Sequence, residues 1–253
     1  EEDAPLIARE GGARAGTEEM EEVDLGQGGG GAPAPGGGWG AVWAEQGRQL
    51  RMSLPLSVGM VFSYLLSVIS VAYTGRLGTR ILSSAAVATA LANMSGRTVI
   101  MGLCGALDTK AAQASGAGAT ARLPAILHRQ IAFNLLNLAP ILVSWAFAAR
   151  FLAALGQGEE MAGIAQRYIW GLAPGLVVEA MNRPLNRLLV ATGVSAPQMY
   201  ISCAVVPVHL ATNHLLIYKA GLGYMGAAYA TSLSSLLSLL LTLIYVAGAG
   251  RWG

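Results

Sequence analysis

Four stretches of this chain contain no Asp, Glu, Lys or Arg: Met52–Gly75, Gln130–Ala149, Leu188–Tyr218 and Ala220–Gly250. A helix that crosses ~30 Å of hydrocarbon needs ~20 mostly apolar residues, and each stretch is long enough. Two further apolar stretches, Ile81–Leu107 and Ala162–Asn182, are interrupted by charge. The chain therefore reads as an all-α membrane protein, a bundle of six transmembrane helices. The expected spans are 54–73, 83–106, 130–149, 161–181, 197–218 and 225–246.

Composition supports lipid as the solvent. Charged residues make up 12% of the chain, against about 25% in a soluble domain. The charge is unevenly placed. Residues 1–24 hold nine acids and two arginines, and the remainder holds fourteen bases and five acids. A basic membrane domain needs no nucleic acid to explain it, because loop Lys and Arg set topology. The two cysteines, Cys104 and Cys203, lie in or beside apolar spans. They suggest neither a disulfide framework nor a metal site.

Residues 1–42 read as a disordered cytosolic tail, acidic and then glycine-rich, with too little apolar surface to offset the entropy of ordering. Within it, Glu2 followed four residues later by Leu6-Ile7 fits an acidic dileucine sorting signal. Plain disordered filler is the alternative reading. Residues 43–253 form the membrane lobe. Trp43–Arg51 is expected to be a short approach helix, with Trp39 and Trp43 at the lipid interface. Asp108–His128 is expected to be the longest connection. The chain opens on Glu1 and stops just after a span, and it reads as a piece of a longer protein.

Orientation follows from Lys and Arg near the span ends. With the N-terminus in the cytosol, that side carries Arg48, Arg51, Lys110, Arg122, Arg129, Arg183, Arg187 and Arg251. The opposite side carries Arg76, Arg80, Arg150, Arg167 and Lys219. Eight against five favours an N-in start with both termini cytosolic.

No enzyme site and no cofactor motif emerge. Gly28–Gly31 lacks the Lys-Ser/Thr of a nucleotide loop. Polar groups at membrane depth are the better lead. Arg97 lies in the second span and Glu179 near the cytosolic end of the fourth. Ionisable groups in hydrocarbon usually face a partner or a wet cavity. If Arg97 extends towards the cytosol, its depth approaches that of Glu179 and a salt bridge forms; otherwise each reaches the interface alone. Asn93, Ser95 and Thr98 add polarity to the same span. His209, with Asn213 and His214, lies in the fifth span, either on a proton pathway or packed against a neighbouring helix. Pro174 and Pro207 are expected to kink their helices and free carbonyls to face a cavity.

Seven segments in order resemble the plant-type multidrug and toxic compound extrusion (MATE) family. They are Tyr73–Gly78 (YTGRLG), Ala88–Gly96 (ATALANMSG), and Gly105–Thr109 (GALDT) followed by Gln113 and Gly116. Next come Leu155–Gln157 (LGQ), Gly171–Leu176 (GLAPGL), Pro184–Gly193 (PLNRLLVATG) and Tyr218–Ala228 (YKAGLGYMGAA). The resemblance runs from about Trp43 to the C-terminus and implies the N-terminal lobe of a two-lobed transporter.

What the resemblance implies is secondary active efflux of organic cations, xenobiotics or secondary metabolites by antiport, with H⁺ as the coupling ion. The membrane would be the vacuolar or the plasma membrane. The partners would be an organic small molecule, the ion, the bilayer and a second six-helix lobe. Asn93, Arg97, Glu179 and His209 are the cavity or gate candidates. Asp108, Thr109 and Gln113 are the candidates for a cytosolic helix-end network; Asp108 alternatively caps a loop helix.

The sequence also departs from the family. Lys110, Ala111 and Ala112 stand where Leu, Cys and Gly are usual. Arg97 replaces an aromatic or aliphatic residue. Ser70 occupies the place of a first-span Asp of bacterial and archaeal relatives. Two other functions stay open: a lipid or lipid-linked sugar flippase of similar repeats, and a non-transporting lobe that binds a partner.

Overall fold

The computed structural model describes residues 39–248. The proposed sorting residues Glu2, Leu6 and Ile7 lie outside the described residues, as does most of the expected tail. All regular structure among the described residues is helical. The first helix, α1, runs unbroken over Trp39–Gly75. The expected approach helix and first span are thus a single helix of 37 residues, about 55 Å long at 1.5 Å per residue. Pro55 lies inside it without ending it.

A tight turn on Gly78, at φ 116, joins α1 to α2 (Thr79–Ala92). The left-handed backbone there favours glycine because a Cβ would crowd the chain. The second span is not one regular helix. After α2 the chain takes a π-helical turn over Asn93–Arg97, then α3 (Thr98–Leu103), then α4 (Gly105–Gly116). The expected long connection is therefore mostly helix. Only 117–122 lies between α4 and α5 (Leu123–Ala146). Alanine is the strongest helix former, so an Ala-rich stretch after a span continues the helix. A short α6 (Ala148–Ala154) precedes α7 (Glu159–Ala191). The last two helices are α8 (Ala196–His214), which passes into a π-helical turn over Leu215–Lys219, and α9 (Tyr224–Gly248).

Among the described residues, four helical stretches are long and apolar enough to cross a membrane: Val42–Gly75, Thr120–Ala146, Ala196–Lys219 and Tyr224–Gly248. The second span misses that standard because its helix is divided. The fourth misses it because α7 carries charge. Yet α7 is the centre of the bundle, packed against α9, α5 and α2 and, at its ends, α6 and α4. Fourteen of its 33 residues are buried. A helix surrounded by protein need not be apolar all round, so low hydropathy and deep burial go together here. On the very apolar α1, by contrast, the buried residues among those described are Gly59, Ser70 and Thr74.

Small residues set the closest approach. Gly171 and Gly175 of α7 face Ala228 and Ser232 of α9. A Cβ on Gly171 would lie 2.7 Å from the Ala228 Cβ, and one on Gly175 would lie 2.9 Å from Ser232 Oγ. Such stripes let membrane helices gain dispersion contacts that larger side chains would prevent. The Ser232 hydroxyl donates to the Gly171 carbonyl at 2.9 Å and accepts from the Gly175 N–H at 3.1 Å. Beside Pro174, polar backbone expected to face a cavity is thus met by α9. Both α7 and α8 continue through Pro174 and Pro207.

Candidate functional site

Two polar clusters within the bundle hold the candidate residues at membrane depth. The first is built on the π-helical turn. A π turn adds a residue to the local repeat and turns the following side chains to a new bearing. Gly96 makes it possible to seat the turn here, since a Cβ would lie 2.8 Å from the buried Trp145 ring. The Trp145 indole N–H donates to Ser95 Oγ at 2.8 Å and locks the same turn.

Arg97 closes the turn. Its Nη1 donates to Asn93 Oδ1 at 2.9 Å and its Nε donates to Glu179 Oε2 at 2.9 Å. Glu179 also accepts from Arg183, one turn later on α7. The carboxylate is well covered, its side chain 16% exposed, and each arginine side chain is about one-third exposed. One carboxylate holding two guanidinium groups leaves one positive charge in excess. Arg183 Nε is buried without a hydrogen-bond partner. Asn93, Arg97 and Glu179 are therefore brought together. Arg183 joins them, although loop-charge counting assigns it only to a span end; its place four residues after Glu179 on a helix is the signal in the sequence.

A second ion pair follows two turns beyond Glu179. Arg187 Nη1 donates to Asp108 Oδ2 at 3.2 Å and ties α7 to α4. The expected helix-end network of Asp108, Thr109 and Gln113 is not formed. Thr109 and Gln113 are exposed, and neither side chain bonds to Asp108 among the described residues. Asp108 reaches across to α7 instead, because it points away from the α4 face that carries the other two. It does not cap α4, whose N-cap is Cys104.

The second cluster centres on His209, which is fully buried. Its Nδ1 lies 2.7 Å from Ser234 Oγ on α9, and the Ser234 hydroxyl donates to the Ala230 carbonyl. The neutral ring has two tautomers here: with its proton on Nδ1 it donates to Ser234 Oγ, and with its proton on Nε2 it donates to the Leu66 carbonyl. Around Nε2 lie Ser70 Oγ at 2.9 Å, Asn213 Nδ2 at 3.0 Å and the Leu66 carbonyl at 3.0 Å. One imidazole thus joins α1, α8 and α9. Asn213 Oδ1 is buried without a partner. Nothing in the sequence ties Ser70 and Ser234 to His209, because they sit on other helices. His214 lies apart, in an aromatic group with Tyr73 and Tyr218. Among the described residues no group of three or more His, Cys, Asp or Glu stands close enough to hold a metal ion.

The profile of the MatE family matches residues 55–215. Protein DETOXIFICATION 6 of Arabidopsis thaliana is 34% identical over 203 residues, which is 80% of this chain and 42% of that protein. Protein DETOXIFICATION 5 of the same plant is 33% identical over 208 residues, 82% of this chain and 44% of that protein. The crystal structure of the eukaryotic MATE transporter AtDTX14 superposes with a TM-score of 0.75 at 29% identity, covering 81% of this chain and 48% of that one. A mutant of the Vibrio cholerae MATE transporter VcmN shares the fold with a TM-score of 0.72 at 22% identity, covering 81% of this chain and 47% of that one. The chain spans less than half the length of these relatives.

Proposed function

The chain belongs to the MATE family of membrane transporters, and from that premise we propose that it is the N-terminal lobe of an antiporter. Such a protein would expel small organic molecules, among them organic cations, xenobiotics or secondary metabolites, in exchange for inward H⁺. The membrane would be vacuolar or plasma. The observation that carries the coupling half of this reading is the His209 cluster.

Its chemistry suits a proton. In the neutral ring with its proton on Nδ1, Nε2 accepts from Ser70 and Asn213, and the Leu66 carbonyl beside it receives nothing from the ring. A proton on Nε2 gives that carbonyl a donor at 3.0 Å. The Ser70 hydroxyl must then turn away. The Asn213 amide can rotate to present its unpartnered Oδ1. Protonation therefore changes how α1, α8 and α9 are tied, and a ligand-like proton shifts a two-state equilibrium by such differential contacts. The Arg97–Glu179–Arg183 cluster would serve as a gate element, since its strength depends on how far water reaches it.

The excess positive charge of that cluster favours a second reading, in which the cargo is a lipid-linked sugar with an anionic linker. The test separates the two. Vesicles holding a two-lobed protein that contains this lobe are given an inward-driving pH gradient and either a fluorescent organic cation or a lipid-linked sugar. Proton-driven movement of the cation, lost in His209→Gln, is the expected result. Cation movement that ignores the gradient would remove the antiport reading, and movement of the lipid-linked sugar alone would establish the second. The isolated chain should transport neither.

A further inference from the structure

Between α4 and α5 runs a groove of about 320 Å³ that neither polar cluster uses. Its walls repeat at helical spacing. On α3 and α4 they are Leu103, Leu107 and Lys110; on α5 they are Arg129, Gln130 and Phe133. The two helices run in opposite directions. Leu103 and Phe133 therefore share the deep end, and Lys110 and Arg129 share the end towards the cytosolic loop 117–122. The buried Gln130 side chain pins the two walls together by donating to the Leu103 carbonyl at 3.0 Å.

The polarity profile is that of a membrane lipid. The deep end is apolar, with Phe133 half exposed, and it continues along α5 into the exposed Leu136 and Val143. The mouth holds two cations. Lys110 and Arg129 are both exposed, and among the described residues neither forms a salt bridge. The nearest carboxylate in sequence, Asp108, is already held by Arg187. Both cations lie within a few residues of the expected span ends, at headgroup depth. Basic pockets between helices on the cytosolic side suit anionic headgroups.

We propose that this groove is a binding site for an anionic phospholipid of the cytosolic leaflet. One acyl chain lies against Leu103, Leu107 and Phe133, and the phosphate sits between Lys110 and Arg129. Lys110 has no part in the transport reading, and the site accounts for a lysine at that position. The inference rests on the cytosolic placement of loop 117–122 and is independent of the antiport reading.

The test is native mass spectrometry of the purified chain with phosphatidic acid, phosphatidylglycerol or phosphatidylcholine added at matched amounts. Both anionic lipids should be retained in preference to phosphatidylcholine. Lys110→Gln with Arg129→Gln should weaken that retention on the order of tenfold, and Arg76→Gln, on the opposite side, should leave it unchanged. Phe133→Ala should weaken retention while keeping both charges. Circular dichroism and gel filtration establish that each variant is folded. Equal retention of phosphatidylcholine would overturn the proposal, and so would unchanged retention in the double variant. Thermal protection by glycerol 3-phosphate equal to that by phosphatidic acid would also overturn it, since the apolar wall would then contribute nothing.

Discussion

Arg97 donates from Nε to Oε2 of Glu179 at 2.9 Å, although 82 residues separate the two in the chain. The contact joins a π-helical turn in the second span to the central helix of the bundle. It is the point at which a charged second span and a charged fourth span become compatible with a membrane.

Removing Glu179 alone should cost more than removing it together with Arg97. Arg97→Leu leaves Glu179 with Arg183, and Glu179→Gln leaves two guanidinium groups without a counter-charge, so the second change should be the more damaging. A buried pair broken on one side costs ~3–5 kcal/mol; partial exposure of both arginines brings the figure down. A double-mutant cycle on thermal stability in detergent should give a coupling of about 1–3 kcal/mol. Additive effects would mean that the two side chains do not share an environment in solution.

The Asp108–Arg187 pair offers a contrast. Both side chains are more than one-third exposed, and exposed pairs contribute ~1 kcal/mol or less. Arg187→Gln should shift the melting midpoint far less than Glu179→Gln in the same detergent. Equal shifts would argue that the Asp108–Arg187 pair is as well shielded as the pairs made by Glu179.

The α7–α9 contact should be sensitive to a single methyl group. Gly171→Ala places a Cβ 2.7 Å from that of Ala228, and overpacking of this kind costs ~1–3 kcal/mol. Gly163→Ala, with open space around its Cβ, should be neutral or mildly stabilising because alanine favours the helix. Adding Ala228→Gly to Gly171→Ala should restore most of the loss. If it does not, the clash lies elsewhere.

Topology can be checked by labelling single cysteines in a background lacking Cys104 and Cys203. Gln157 and Ala119 lie in loops on opposite sides of the N-in arrangement. Gln157 is a better site than its neighbour Gly156, which stands at φ 82 and would be strained by any side chain. An impermeant thiol reagent should reach Gln157→Cys from outside and Ala119→Cys only after permeabilisation. Labelling of both from outside would overturn the arrangement.

A helical membrane lobe is legible in the amino acids alone, because hydrocarbon admits few alternatives to long uncharged helices and the lack of charge in four of the stretches is visible residue by residue. That Arg97 approaches the depth of Glu179 if it extends towards the cytosol is legible too, since helix rise is fixed; that it does so is decided by the contact itself. Bearing around the helix axis is not legible. The π turn at Asn93–Arg97 decides it, and that turn depends on Gly96 fitting under Trp145, far away in the chain. Arg183 beside Glu179 is legible from their spacing of four residues on one helix, but the reach of Asp108 across to Arg187, clear of Thr109 and Gln113, is not. Packing also places α7, among the least apolar of the spans, at the centre. Hydropathy reports what a helix would meet in lipid, and α7 meets protein on most of its surface. The His209 cluster has the same origin: its partners Ser70 and Ser234 are ordinary small polar residues along α1 and α9, and only the docking of three helices brings them to one imidazole.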